Sequence, residues 1–384
     1  MSGFNKDSLL FRHRQLAPLA SVRVSPLCLG SMNFGEAHKE RYGECSKDTA
    51  FEILDLYYKE GGNFIDTANG YHNGESEEWL GQWMESRDNR DEMVLATKYS
   101  TPYMAGHKDT KIQSNYCGNN VKSLKLSLEA SLRKLRTSYV DILYIHWWDY
   151  TTSVPELMQA LNDVVASGKV LYLGISDTPV WIVAQANQYA RDHGLRPFVI
   201  YQGMWNASMR DMERDIIPFC RKEGMAIAPY GVLNQGRFQT AEGFKAREKH
   251  NPGRNFIPSS ERDKQVSSVL EKIANEKGVD LLHVALAYTL QKTPYVFPII
   301  GGRKVEHLQG NIKGLEVELT EDEVAKVESA YEFDPGFPHT FLSGTLFNKD
   351  KPRAAEGPED VWLTRGSGTY DWVKPSQAIR PPKR

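Results

Sequence analysis

In the stretch Gly61 to Tyr71, reading GGNFIDTANGY, a carboxylate and a phenol stand five positions apart, just past a short apolar run. Asn63-Phe64-Ile65 follows a Gly-Gly break and reads as a buried strand of a parallel sheet. Asp66 then falls at the strand's C-terminal end and Tyr71 on the loop beyond it. Such a pair can move a proton if a cation from elsewhere lowers the Tyr pKa from its ordinary value of about 10. Alone, an Asp and a Tyr so placed more commonly cap and pack.

Two further strand ends change the balance. Met93-Val94-Leu95-Ala96-Thr97-Lys98 ends in an ammonium, and Asp141-Ile142-Leu143-Tyr144-Ile145-His146 ends in an imidazole. Each residue has a bland reading by itself: Lys98 could snorkel to solvent, Tyr71 could pack, and His146 beside Trp147 and Trp148 could be a satisfied core histidine. Brought to one mouth, they form a proton-delivery set in which Asp66 holds Lys98, the Lys98 charge favours the tyrosinate, and His146 orients or polarises an oxygen. No metal-ligand cluster and no activated Ser or Cys nucleophile is evident in the sequence. Hydride transfer to a carbonyl, with Tyr71 as general acid, is the best-matched chemistry.

The elements needed to position this set follow one another regularly. Leu16 to Ser25 suggests a small hairpin ahead of a first strand, Leu27-Cys28-Leu29, that ends at Gly30. A helix from Ser46 or Asp48 through Tyr58 leads to the Phe64-Ile65 strand, Glu75 to Met84 forms the next helix, and Val121, Leu124, Leu128, Leu132 and Leu135 mark another. Helix Val154 to Ala166 stops at Gly168, and strand Val170 to Ile175 follows. Pro179 opens a helix, Phe198 to Tyr201 is a strand, Met209 to Cys220 a helix and Met225 to Ala228 a strand. After a loop from Val232 to Ser260, long enough to be a functional flap, come helices around Val266 to Ile273 and Leu281 to Leu290, then an eighth strand, Tyr295 to Ile300. Eight strands in strict succession with helices argue for a closed (β/α)8 TIM barrel, of class α/β, more than for a doubly wound sheet. No G-x-G-x-x-G follows the first strand and no G-x-x-x-x-G-K-[ST] occurs.

The expected division is an N-terminal segment with the hairpin over residues 1–26, the barrel over 27–331 and a C-terminal extension over 332–384. The extension is rich in Pro and Gly yet carries Phe337, Phe341, Phe347, Trp362 and Trp372, so it is expected to lie over the barrel mouth, with partial disorder as the alternative. At 384 residues and a net charge of −2, the chain can bury a full core and shows no charge excess calling for nucleic acid or an anionic membrane. The four cysteines are far apart and include no C-x-x-C, which fits reduced thiols without zinc or disulfides. Without a signal peptide or membrane span in sight, the expected compartment is the cytoplasm.

These residues carry a resemblance. From about Leu16 to about Tyr331 the chain is similar to aldo-keto reductases, through LCLGSMNFG, FIDTANGY with ESEEWLG after it, VLATKYS, SLRKLRTSYVDILYIHWWD, GKVLYLGISD, VIYQGMWN, GMAIAPYGVLNQGRF and PIIGGRKVEHLQGN. Within that family, HWWDY, ISDTPVW and MRDMERDIIPFC most resemble fungal aryl-alcohol dehydrogenases and the related norsolorinic acid reductases. The resemblance implies a barrel that uses NADP(H) without a Rossmann fold, with Asp66, Tyr71, Lys98 and His146 as catalytic tetrad. It further implies a cofactor site that starts at Gly30, Met32 and Asp66, with Ser176, Asp177 and Gln202 at the nicotinamide carboxamide and Tyr230 beneath the ring. Gly231, Val232, Leu233, Asn234, Gln235, Gly236 and Arg237 would follow the pyrophosphate. Ile300, Gly301, Gly302, Arg303, Lys304, His307, Gln309 and Asn311 would hold the adenosine end, and a 2′-phosphate pairing with Arg303 or Lys304 favours NADP over NAD. Many relatives carry Asn where this chain has Asp177, and Gly302 and Gly310 also depart from commoner choices.

The expected substrate wall is aromatic: Tyr71 and His146 with Trp147, Trp148, Trp205, Tyr99 and Tyr103. It suits a small aromatic carbonyl or alcohol, and the resemblance adds a polyketide-derived aromatic as a specific version. The alternatives are an NADP(H)-binding regulatory subunit, as in the potassium-channel β subunits of the same superfamily, and a reductase of aliphatic aldehydes or sugars. The expected assembly is a monomer or homodimer.

Overall fold

The structure is a computed structural model that describes residues 3–105, 107–249 and 257–382, without the side chains of 247–249. Strands β1 (Arg14–Ala17) and β2 (Ala20–Val24) form an antiparallel hairpin. The next eight strands belong to one parallel sheet: β3 (Cys28–Gly30), β4 (Phe64–Asp66), β5 (Val94–Tyr99), β6 (Val140–Ile145), β7 (Val170–Ser176), β8 (Phe198–Met204), β9 (Ala226–Tyr230) and β10 (Ile299–Ile300). β10 pairs with β3 through Ile299 opposite Cys28 and Ile300 opposite Leu29. Ile227 of β9 is bridged to Val296 just before β10, so the sheet closes on itself as the expected (β/α)8 barrel.

Strand periodicity decides which side chains fill this barrel, because successive residues point to opposite faces. Phe64, Val94, Ala96, Ile142, Tyr144, Ile200, Ala226 and Ala228 pack together in its interior, and Leu16, Ala17, Ala20 and Val24 of the hairpin join them as a plug. The alternate residues Ile65, Leu95, Leu143, Ile145, Leu173, Ile175 and Tyr201 belong to the outer core beneath the helices. Continuing the inward parity to the C-terminal strand ends gives Asp66, Lys98, His146, Ser176, Gln202 and Tyr230.

The helices start where capping chemistry places them. Ser46, Asn120 and Ser153 each accept a backbone N–H in the first turn of helices Lys47–Lys59, Val121–Lys134 and Val154–Ala166. Pro179 directly precedes helix Val180–His193. The expected helix Met209 to Cys220 is instead a 3-10 turn, Asp211–Glu213, and a separate helix, Ile216–Glu223. Pro218 accounts for the break, since its ring is tolerated in a first turn but would collide with the carbonyl four residues back in a longer helix. The eighth strand shrinks from Tyr295–Ile300 to Ile299–Ile300, because Pro294 and Pro298 offer no N–H to a ladder. Within the long loop after β9 lie a 3-10 turn, Asn234–Gly236, and a helix, Ala241–Lys249, while residues 250–256 lie outside the described residues.

The contacts of the C-terminal extension correct the expectation that it lies over the mouth. Arg214 donates to the Asp334 carbonyl, Arg221 pairs with Glu356 at 2.9 Å, and Arg380 donates to Gln291 and to the Leu319 carbonyl. These partners lie on the outer helices and near the entry to β10, so the extension runs down the flank. Its aromatics satisfy one another: Phe341 stacks edge-on to Phe347 at 5.5 Å, and Trp362 Nε1 donates to the Phe341 carbonyl at 2.8 Å. A cavity of about 710 Å³ opens between extension and flank, lined by Arg210, Glu213, Lys292, Glu328, Glu356 and Val373, with none of the tetrad in its wall. No helix among the described residues is long and apolar enough to cross a membrane.

Candidate active site

Three adjacent strands deliver the ionisable set. In register, Asp66 on β4 lies opposite Ala96 on β5, and Lys98 on β5 opposite Tyr144 on β6, so both inward charges sit in the top layer of the barrel. Lys98 has no solvent exposure, and its Nζ donates to Asp66 Oδ2 at 2.5 Å, to the Thr67 carbonyl at 2.7 Å and to Tyr71 Oη at 3.3 Å. The second carboxylate oxygen of Asp66 accepts from Gln202 Nε2 at 2.9 Å across the barrel. His146 stands edge-on to the Tyr71 ring, centroids 5.9 Å apart, and both remain partly open to the mouth. The four residues expected to act together are thus brought together.

Their electrostatics differ from the expectation in one respect. Burial raises the Tyr71 pKa, and the Lys98 charge offsets only part of that rise, so the phenol stays above its ordinary value. Burial would depress Lys98, but Asp66 and then Tyr71 outweigh it and hold the ammonium above its usual range. Burial, with repulsion from Lys98 second, pushes His146 down to about 3. Around neutral pH the site therefore holds a protonated phenol, an ammonium and a neutral imidazole.

Several residues expected to bind a cofactor share this rim. The Ser176 hydroxyl is buried with no hydrogen-bond partner among the described residues, on the strand next to Gln202. A buried hydroxyl left unpaired in the protein fits a polar ligand group at that place. Tyr230 Oη donates to both Asp177 oxygens at 3.1 and 3.2 Å, and burial pushes the Asp177 carboxyl up to about 6, with Tyr230 and Lys98 opposing. Ile300, Gly301, Gly302, Lys304 and Asn311 line one small cleft. Arg303 lies against Gly43, whose positive φ of 84° and lack of a side chain admit the guanidinium. His307, Gln309, Lys304 and Gly301 are exposed, and Gly30 and Met32 lie at the end of β3 and just after it. Arg237, expected along a pyrophosphate, is buried and turned toward Asn234 and Asp263. Gly231, Val232, Leu233, Gln235 and Gly236 follow the C-terminal end of β9, with Val232 buried.

The aromatic wall is smaller than expected. Trp205 is fully buried and its Nε1 donates to Glu213 at 3.0 Å, which takes it from the substrate wall into the core. Tyr99 is likewise buried, with its hydroxyl on the Asn119 carbonyl. Trp148 and Tyr103 are nearly buried, which leaves Trp147 as the partly exposed indole beside His146.

Two groups at the site went unnoticed in the sequence. Thr101 Oγ1 contacts His146 Nδ1 at 3.1 Å and Trp147 Nε1 at 3.3 Å. Behind the 67–71 loop, Glu77 has no exposure, accepts from Thr97 at 2.6 Å and pairs with Lys134 at 2.5 Å, while Lys134 also donates to the Asn69 carbonyl at 3.2 Å. The second could have been suspected, since the acidic face of ESEEWLG lies next in sequence to Tyr71. A lone Thr offers no comparable signal.

The chain matches known proteins over most of its length. The model of the aldo/keto reductase family matches residues 26–332. Norsolorinic acid reductase B of Dothistroma septosporum is 70% identical, over 99% of this chain and 98% of its own length. A protein of the same name from Aspergillus parasiticus is 62% identical over 97% and 98%. Aryl-alcohol dehydrogenase [NADP(+)] of Phanerodontia chrysosporium is 47% identical, over 97% of each chain.

Proposed function

The chain belongs to the aldo/keto reductase family, and from that premise we propose that it reduces aryl aldehydes or ketones to alcohols with NADPH, reversibly. The observation that carries this reading is the Lys98 ammonium, held by Asp66 at 2.5 Å and touching the Tyr71 hydroxyl at 3.3 Å beside a neutral His146. Tyr71 donates its proton to the carbonyl oxygen. Its raised pKa ensures that the proton is present near neutral pH, and Lys98 stabilises the phenolate that remains. His146 donates a hydrogen bond to the same oxygen without carrying charge. A reduced nicotinamide, when bound, supplies the hydride.

Ser176, Asp177, Gln202 and Tyr230 would hold the nicotinamide end, the 231–237 turn the pyrophosphate, and the 300–311 segment the adenosine. Gln202 spends an N–H on Asp66 and keeps its carbonyl for a carboxamide. Trp147 offers the flat apolar wall that suits an aryl ring. With relatives named norsolorinic acid reductase, a polyketide-derived aromatic ketone or aldehyde is the substrate class we favour.

The test follows NADPH oxidation with dimethoxybenzaldehyde-type aryl aldehydes beside short aliphatic aldehydes. Aryl-selective turnover is expected, and Tyr71→Phe should lower it by roughly 10²- to 10⁴-fold while NADPH binding persists. Equal turnover of aliphatic aldehydes would remove the aryl assignment, and full activity in Tyr71→Phe would remove the acid.

A further inference from the structure

The hydroxyl of Thr101 has two neighbours, the Nδ1 atom of His146 and the Nε1 atom of Trp147. An indole nitrogen only donates, so the Trp147 contact at 3.3 Å uses the threonine oxygen as acceptor. The hydroxyl proton still needs a place, and His146 Nδ1 at 3.1 Å is the acceptor in reach. Receiving that proton requires a bare Nδ1, and a neutral imidazole with a bare Nδ1 carries its hydrogen on Nε2. The opposite tautomer would aim two N–H groups at one oxygen and take from the half-buried hydroxyl the acceptor that Nδ1 offers its proton.

The rest of the threonine is equally committed. A Cβ added to Gly70 would stand 3.1 Å from Thr101 Cγ2, so the methyl abuts the residue that precedes Tyr71. The His146 backbone is fixed as well, its N–H bonded to the Tyr99 carbonyl at 3.0 Å. One side chain therefore touches the tyrosine loop, the imidazole and the indole.

We propose that Thr101 is a positioning residue for carbonyl reduction: accepting from Trp147 and donating to His146, it locks the Nε2–H tautomer and presents that N–H to the oxygen on which Tyr71 acts. The inference rests on the reading of His146 as the group that polarises a carbonyl. It also ties the aromatic wall to the proton machinery, because the indole that would flank an aryl ring is anchored by the same hydroxyl.

The test combines ¹⁵N-histidine NMR of the full-length protein, with the His146 signals identified by their loss in His146→Gln, and kinetics of Thr101→Val and Thr101→Ser. Wild type and Thr101→Ser should show a protonated Nε2 and a bare Nδ1, whereas Thr101→Val should show mixed tautomers. Thr101→Val should lower kcat with aryl aldehydes by roughly tenfold, a fraction of a full general-acid contribution, with Kd for NADPH unchanged and activity recovered in Thr101→Ser. A protonated Nδ1 in wild type, or equal kcat in the Val and Ser variants, would overturn the proposal. The tautomer is read without turnover, so an enzyme inactive on aryl aldehydes would sink the activity reading and leave the Thr101 question answered. Should Thr101→Val fail to fold, the wild-type tautomer and the Ser variant still decide it.

Discussion

A lysine with no solvent exposure persists in a core when its charge is matched, and Asp66 at 2.5 Å supplies the match for Lys98. Removing one member of such a pair strands the other, at about 3–5 kcal/mol. Lys98→Met should therefore lower unfolding stability by that amount and abolish turnover, whereas Lys98→Met with Asp66→Asn should regain much of the stability and none of the activity, as denaturant melts and assays would show. Asp177 makes a pH prediction. Its pKa is raised to about 6 in the folded protein against an ordinary value of about 4, so the folded state binds its proton more tightly. Stability then falls as pH rises through the interval from about 4 to about 6, and Asp177→Asn should flatten that slope in thermal melts. Asp177 is crowded by its neighbours at the rim yet its surface still reaches solvent, which keeps the effect modest. At this scale, Asp66, Lys98 and His146 were legible because a strand end and its parity fix where a side chain points. Trp205 was not, since it carries the outward parity of Tyr201 and its indole finds Glu213, a partner reached only through the fold.

At the scale of elements, the loop between β4 and the helix Glu75–Arg87 must hold Tyr71 still, and a second buried ion pair does so from behind. Lys134, at the end of helix Val121–Lys134, reaches Glu77 at 2.5 Å and the Asn69 carbonyl at 3.2 Å, joining two helices to that loop. Lys134→Met leaves the Glu77 carboxylate buried without its cation, and should cost about 3–5 kcal/mol in a denaturant melt. Adding Glu77→Gln should return a large part of it. If the single variant melts like wild type, the pair is not structural. Most elements were legible for local reasons, as Ser46, Asn120 and Ser153 show at their helix starts. The misses were also local: Pro218 splits one helix, and Pro294 with Pro298 shortens the last strand, because an apolar pattern registers hydrophobicity but not a missing N–H.

For the whole molecule, the question is whether the C-terminal extension takes part in catalysis. Its aromatic content suggested a cover for the mouth, yet those rings pack on one another and the tail is held to the flank by Arg221 with Glu356 and by Arg380 with Gln291 and the Leu319 carbonyl. Composition could not reveal this, since rings that pair among themselves and rings that roof a pocket contribute alike to a count. The Arg221–Glu356 pair is partly solvated and adds no more than about 1 kcal/mol, while the Arg380 guanidinium, a charged donor, adds about 1.5–3 kcal/mol through its hydrogen bonds. Deleting residues 348–384 should therefore lower Tm by a few degrees. Catalysis should hardly notice: kcat/KM with aryl aldehydes is expected within about threefold of wild type, because none of the tail contacts reaches Asp66, Tyr71, Lys98 or His146. A rise in KM of tenfold or more at unchanged Kd for NADPH would instead mean that the extension reaches the substrate, and would return it to the mouth.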